Sequence, residues 1–140
     1  MALIEGIGKY SLGIDTLIAS KIIKSSVTKM SQLMISNNWL PDKCSSLNEF
    51  LANDQLQEQI MTEQTLKNYN LLCANGVINQ KNINSVEEIS GWLAVAHGLG
   101  VDGAYNYASN GTDANLGAEL FQKGKFATTL ASQVPTILAG

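Results

Sequence analysis

Arginine is absent from this chain of 140 residues; its nine basic residues are all lysines, set against twelve acids for a net charge of −3. Arginine is the side chain that grips phosphate bidentately and reads guanine, and no basic stripe replaces it, so no nucleic-acid partner is expected. Histidine occurs once, at His97, and cysteine twice, at Cys44 and Cys73, far apart and at no metal-ligand spacing. Neither a metal site nor a cofactor is expected from such a set. Cys73 ends the apolar stripe of "NYNLLCANG" and reads as a buried thiol rather than a disulfide partner. No apolar run approaches the ~18 residues that span a bilayer, so no membrane segment is expected. The opening "MALIEGIGKYSLG" has an acid at Glu5 and no basic region ahead of an apolar block, unlike a secretory signal.

What the chain does have is a hydrophobic content of 45%, enough for a single globular core at this length. Apolar residues recur at three- and four-residue steps and no stretch alternates with period two. The expected fold is all-α, a single compact domain of about six to eight short helices. Asp15 is expected to cap a helix over residues 15–24, with Leu17, Ile18 and Ile22 on its buried face. Val27, Met30, Leu33 and Met34 mark a second short helix, and "NNWLPDKCSS" a loop that pins Trp39 and Leu40 onto the core. Ser46 with Glu49 has capping-box spacing and opens a short helix through Leu47, Phe50 and Leu51. Asp54 then caps a longer helix to about Ala74, with Leu56, Ile60, Met61, Leu66, Tyr69, Leu72 and Cys73 on one face. Asn75 and Gly76 stop it, and a connector follows with Val77 and Ile78 tucked under. Ser85 with Glu88 repeats the capping-box spacing, opening a helix whose stripe runs through Val86, Ile89, Leu93 and His97 to an end near Gly98 and Gly100. Asp102 caps a short helix closed by Asn110 and Gly111. Another helix covers about residues 116–122, and Phe126, Leu130 and Val134 step along a last one to Pro135.

Candidate chemistry is sparse. His97 follows Leu93 and Ile89 on the apolar stripe, and no serine or cysteine in a recognised nucleophile turn accompanies it, so a core histidine is favoured over a base. Gly98, Gly100 and Gly103 suit a sharp corner between helices. "GLGVDG" has dinucleotide-loop spacing, but it follows a helix instead of a strand, which rejects cofactor binding. Tyr105, Tyr107, Asn110, Asp113 and Asn115 form an uncharged polar and aromatic mix suited to glycans or protein contacts, though the same residues make ordinary turns. Among the acids, Glu87 and Glu88 open a helix, and Glu58 and Glu63 are expected on the solvated side of the long helix. Glu5 is the one acid beside a glycine-rich, tyrosine-bearing segment.

Three blocks, "GIGKYSLGIDTLIASKIIK", "SSLNEFLANDQLQEQIMTEQTLKNYNLLCANGVI" and "ISGWLAVAHGLGVDGAYNYASNGTDANLGAELFQKGKF", cover most of the chain. In order and spacing they resemble a helical domain that recurs in bacteriophage virion and cell-wall-associated proteins, similar to lysozyme-like and lytic-transglycosylase-like folds. The resemblance implies a lysozyme-like helical domain over residues 1–126. Active members carry a general-acid glutamate in an acid–serine motif well upstream of the Gly-Lys-Tyr segment. Here seven residues precede Gly8 and Glu5 is not followed by serine, so the catalytic motif is expected to be missing. Gly8, Lys9, Tyr10, His97, Gly98, Gly103, Asp113, Ala114 and Asn115 carry over as fold-defining positions.

The expectation is therefore a non-catalytic virion structural protein of the tail or baseplate, made in the host cytoplasm and held by contacts with other virion proteins or copies of itself. Residues 127–140, apolar beyond what one short helix buries, are expected to form either a docking arm or a tail folded on its own core. The alternative is a peptidoglycan-degrading or peptidoglycan-binding domain, with Glu5 as general acid and Tyr10 and Tyr105 along the groove.

Overall fold

Gly13, not Asp15, caps the first helix. The structure, a computed structural model, describes residues 5–79 and 85–126 together with Val134, and of Lys125 and Phe126 the backbone alone. Helix α1 (Ile14–Ala19) starts at Gly13 and holds Asp15 inside its first turn, where a carboxylate favours the helix N-terminus. It stops after six residues, so the continuation expected to residue 24 does not form. Lys21 donates to the Ile18 carbonyl at 2.9 Å and Ile22 to the Leu17 carbonyl at 3.0 Å, a pair of bonds that ties off the last carbonyls. Lys21 takes the left-handed conformation this closure needs, at φ +59. The chain then runs extended, with Ile23 bridged to Trp39 and bonds from Leu40 to the Ile22 carbonyl and from Lys24 to the Asn38 carbonyl, both 2.9 Å.

Two 3₁₀ turns, Met30–Met34 and Ser36–Asn38, replace the expected second α-helix. With about three residues per turn, positions 30 and 33 share a side while position 34 rotates away from it. Leu33 is accordingly buried, whereas Met34 is 79% exposed, against the expectation that placed it inward. Trp39 is buried as expected; its indole nitrogen donates to the Leu33 carbonyl at 2.7 Å and its ring lies 5.6 Å from that of Phe50. Leu40 is half-buried.

Helix α2 (Leu47–Ala52) is capped by the Ser46 hydroxyl, which accepts from the Glu49 N–H at 3.1 Å. The Glu49 carboxylate accepts from Ser45 rather than Ser46, so the expected box closes one residue early. Asn53 ends α2 and caps α3 (Asp54–Ala74), its side-chain oxygen accepting from Leu56 at 3.0 Å, where Asp54 was the expected cap. The buried face of α3 includes Ile60, Met61, Tyr69 and Leu72, and also the polar Gln57, Thr65 and Asn68. Leu66 is 42% exposed, because it sits one residue, about 100°, past buried Thr65. Cys73 is half-buried, Cys44 is fully buried, and both are free thiols. Burial pushes the Cys44 thiol pKa up.

Ser85 caps α4 (Val86–Asn110) as its spacing predicts, accepting from Glu88 at 3.1 Å. The helix breaks at Gly100, whose φ of 82° and ψ of 164° are open mainly to glycine. The bend is sharp. In a straight helix Trp92 and Tyr107 would lie about 22 Å apart along the axis, yet their ring centroids are 5.7 Å apart. Gly111, at φ 69, ends α4, and α5 (Ala114–Phe126) follows. Helices α4 and α5 meet through small residues: a Cβ at Gly124 would lie 2.5 Å from that of Ala94 and 2.6 Å from the Ser90 carbonyl oxygen. Phe121 covers Gly91, and its ring meets Trp92 edge-on at 5.1 Å.

The described residues fall into two compact units, residues 5–64 and the residues from Thr65 onward. Among them are five α-helices, two 3₁₀ turns and no strand, an all-α architecture in which α3 has the bounds expected of the longer helix and α4 runs, broken at Gly100, over the two helices expected there. Leu130, the Phe126 side chain and the expected arm over residues 127–140 lie outside the described residues, apart from Val134, which is fully buried.

The α4–α5 contact sets two outcomes. Gly124→Ala inserts a methyl group against backbone and should cost about 1–3 kcal/mol in urea unfolding. Ser90→Ala should be neutral or stabilising by up to about 1 kcal/mol, since the buried Ser90 hydroxyl has no partner among the described residues.

Candidate functional site

The best-organised polar cluster is built on a tight turn over residues 7–12. Ile7 and Leu12 exchange two backbone bonds of 2.9 Å, and Gly8, at φ 75, starts the reversal. Only glycine fits there, since a Cβ would come within 2.3 Å of the Gln57 side-chain oxygen. That oxygen accepts from the Lys9 N–H at 3.0 Å, which locks the turn against the start of α3. Lys9 and Tyr10 are thereby delivered to Glu58, the residue after Gln57. The Lys9 ammonium lies 2.7 Å from the Glu58 carboxylate, the Tyr10 hydroxyl donates to the same carboxylate oxygen, and the ammonium stands 5.2 Å from the Tyr10 ring centroid.

The electrostatics of this clasp are those of a neutralised pair. Hydrogen bonds from Lys9 and then Tyr10 hold the Glu58 pKa below the usual glutamate value, and Glu58 in turn raises that of Lys9. A glycosidase general acid needs the reverse, a carboxyl kept protonated by a raised pKa. Glu58, expected on the solvated side of the long helix, is half-exposed and paired with two residues of the distant turn, a partnership that no local pattern announces.

The other sequence-derived positions are dispersed. Glu5 is exposed ahead of the turn, and Tyr10 is half-buried within it. His97 and Gly98 are half-buried on α4 just before the Gly100 break, and Gly103 is buried just after it. Tyr105 is exposed, while half-buried Tyr107 packs on Trp92 and over Gly117. Asn110 and Asn115 are exposed, and the three residues between α4 and α5 include Asp113, at φ 55, whose carbonyl accepts from Gly117 at 2.8 Å. The structure thus joins Tyr10 with Lys9 and Glu58, joins Tyr107 with Trp92 and Phe121, and makes the run from Asn110 to Asn115 the connection between two helices.

Among the described residues no group of three metal-ligating side chains is assembled, and no helix is long and apolar enough to cross a membrane. Compared with protein families, with curated proteins and with solved structures, the chain matches none.

The Glu58 clasp has a defined acid dependence. A carboxylate whose pKa is depressed by folding contributes fully above its unfolded value, about 4.5, and loses that contribution as pH falls through the lower folded value. The ring resonances of Tyr10 should therefore stay constant from neutral pH to about 4.5 and move only below it. Glu58→Gln should abolish that acid step while leaving the Gln57 bonds in place.

Proposed function

We propose that this chain is a non-catalytic structural protein that works through contacts with other proteins, and that its setting is a bacteriophage virion, in the tail or baseplate. The observation that carries the non-catalytic part is the state of Glu58: the most elaborately partnered carboxylate described is an ion pair with a lowered pKa, unsuited to donate a proton. Glu5, the acid of the enzymatic alternative, is exposed, whereas a general acid's carboxyl is kept protonated by an apolar setting. A contact role is supported by adjacent Met34 and Ile35, 79% and 53% exposed at the end of the first 3₁₀ turn and between the two turns. The virion setting, a lysozyme-like descent of the helical domain, and partners among other virion proteins or further copies of the chain rest on the Gly-Lys-Tyr, "AHGLGVDGA" and "GTDAN" blocks and their order.

Two measurements test this. Mass spectrometry of gradient-purified particles should recover the chain at a fixed ratio to the other virion proteins; absence from particles sinks the setting. On a peptidoglycan zymogram the purified chain should leave no clearing, and Glu5→Gln and Glu58→Gln should behave the same way. Clearing that disappears in Glu5→Gln would establish the enzyme instead.

A further inference from the structure

The closure of α1 uses a lysine where glycine is the less costly residue. Lys21 sits at φ +59, the left-handed position that follows a helix and that glycine fills without steric penalty. The side chain kept there lines an open cleft of about 470 Å³, a size suited to small ligand groups. Lys24, Ser25 and Ser26 border the same cleft, and Ile18, Ile23 and Leu40 supply an aliphatic wall.

Among the described residues the two lysine side chains have no partner that accounts for them. The Lys43 ammonium already donates to the Ser20 carbonyl at the end of α1, at 2.8 Å. Lys21 and Lys24 are exposed, and among the described residues neither ammonium is paired with a carboxylate. The turn after Lys24 closes through the Val27 N–H at 3.2 Å, which leaves the N–H groups of Ser25 and Ser26 without a carbonyl among the described residues. Two lysines and two serines, all donor-bearing residues, thus share one cleft with no acid in its lining, in a chain whose net charge is −3. The complement of such a surface is an anion.

We propose that this cleft receives a carboxylate side chain of a partner protein, an aspartate or glutamate flanked by an aliphatic residue, an inference that rests on the protein-contact function above. Lysines act here as point charges that attract carboxylate and phosphate alike, so the aliphatic wall of Ile18, Ile23 and Leu40 decides between them. A bare inorganic anion would leave the aliphatic wall uncovered, whereas a flanking leucine or valine would cover it. The cleft is open on one side, which suits a group presented by another protein surface.

The test is a titration of the whole ¹⁵N-labelled chain at low salt with three probes: acetyl-Leu-Glu-Leu-amide, its Leu-Gln-Leu counterpart, and inorganic phosphate. The glutamate peptide should shift the amides of residues 21–26 and Leu40 saturably in the millimolar range, and the glutamine peptide should not. Lys24→Gln and Lys21→Gly should each weaken binding about tenfold or more. Lys21→Gly also relieves the left-handed side chain, so its melting temperature should rise while affinity falls, which separates lost binding from lost folding. Equal response to both peptides, no response by ~10 mM, or saturation of the same amides by phosphate but not by peptide would overturn the proposal. Failure here with the chain recovered from particles removes the cleft alone; binding here with no recovery from particles removes the virion setting alone.

Discussion

Gln57 is 1% exposed, and both ends of its amide are used. Its oxygen accepts from the Lys9 backbone at 3.0 Å, and its nitrogen donates to the Phe50 carbonyl at 3.0 Å near the end of α2. A buried amide is costly unless its partners are supplied, and one that is satisfied fixes the geometry of whatever supplies them. Here it ties the turn over residues 7–12 and the last turn of α2 to the first turns of α3. The Lys9–Glu58 pair is a consequence of that tie. Being largely solvated, the pair itself contributes little, and its position follows from the amide beneath it. A cluster that could pass for a catalytic constellation is better explained as the outer end of a packing constraint.

From Thr65 onward the corresponding constraint is close approach. The break at Gly100 folds α4 back so that Trp92 meets Tyr107, and α5 then lies against the first arm of α4 with Gly124 at Ala94 and Ser90. Trp92 is thereby flanked by two rings, Tyr107 at 5.7 Å and Phe121 at 5.1 Å, both tilted or edge-on as ring quadrupoles prefer. Glycine has two separate uses in this region. At Gly100 it supplies a backbone conformation, whereas at Gly91, Gly117 and Gly124 it supplies room for a neighbour's side chain or backbone.

Local signals in the sequence were readable where the physics is local. Ser46 and Ser85 bond the N–H three residues on, Gly76 and Gly111 stand at helix ends in the left-handed region, and the glycines after His97 mark a corner. The end of α1 was not readable, because a lysine fills the position where glycine would have announced it. The 3₁₀ turns were misread since three- and four-residue steps agree for the first turn and diverge by the second, which exposes Met34. Buried Gln57, Thr65 and Asn68 carry no hydrophobic signature and were invisible to a periodicity argument. The Glu58 clasp was hidden for another reason: its partners lie in a turn far back in the chain, Tyr10 at a separation of 48 residues, and neither segment alone needs the other. Among the glycines that follow His97 the break itself falls at Gly100, and the aromatic contacts that it creates depend on where α4 turns back.

The two free thiols differ in their surroundings. Cys44 has no solvent exposure, its burial disfavours the thiolate, and its S–H points to the Ser46 carbonyl at 3.4 Å; Cys73 is half-buried near the end of α3. Since the thiolate is the reactive form, an electrophilic dye reaches Cys73 first and leaves Cys44 intact in the folded state. The native chain therefore carries a built-in single attachment point for fluorescence or spin labelling, with no cysteine to be engineered in or out.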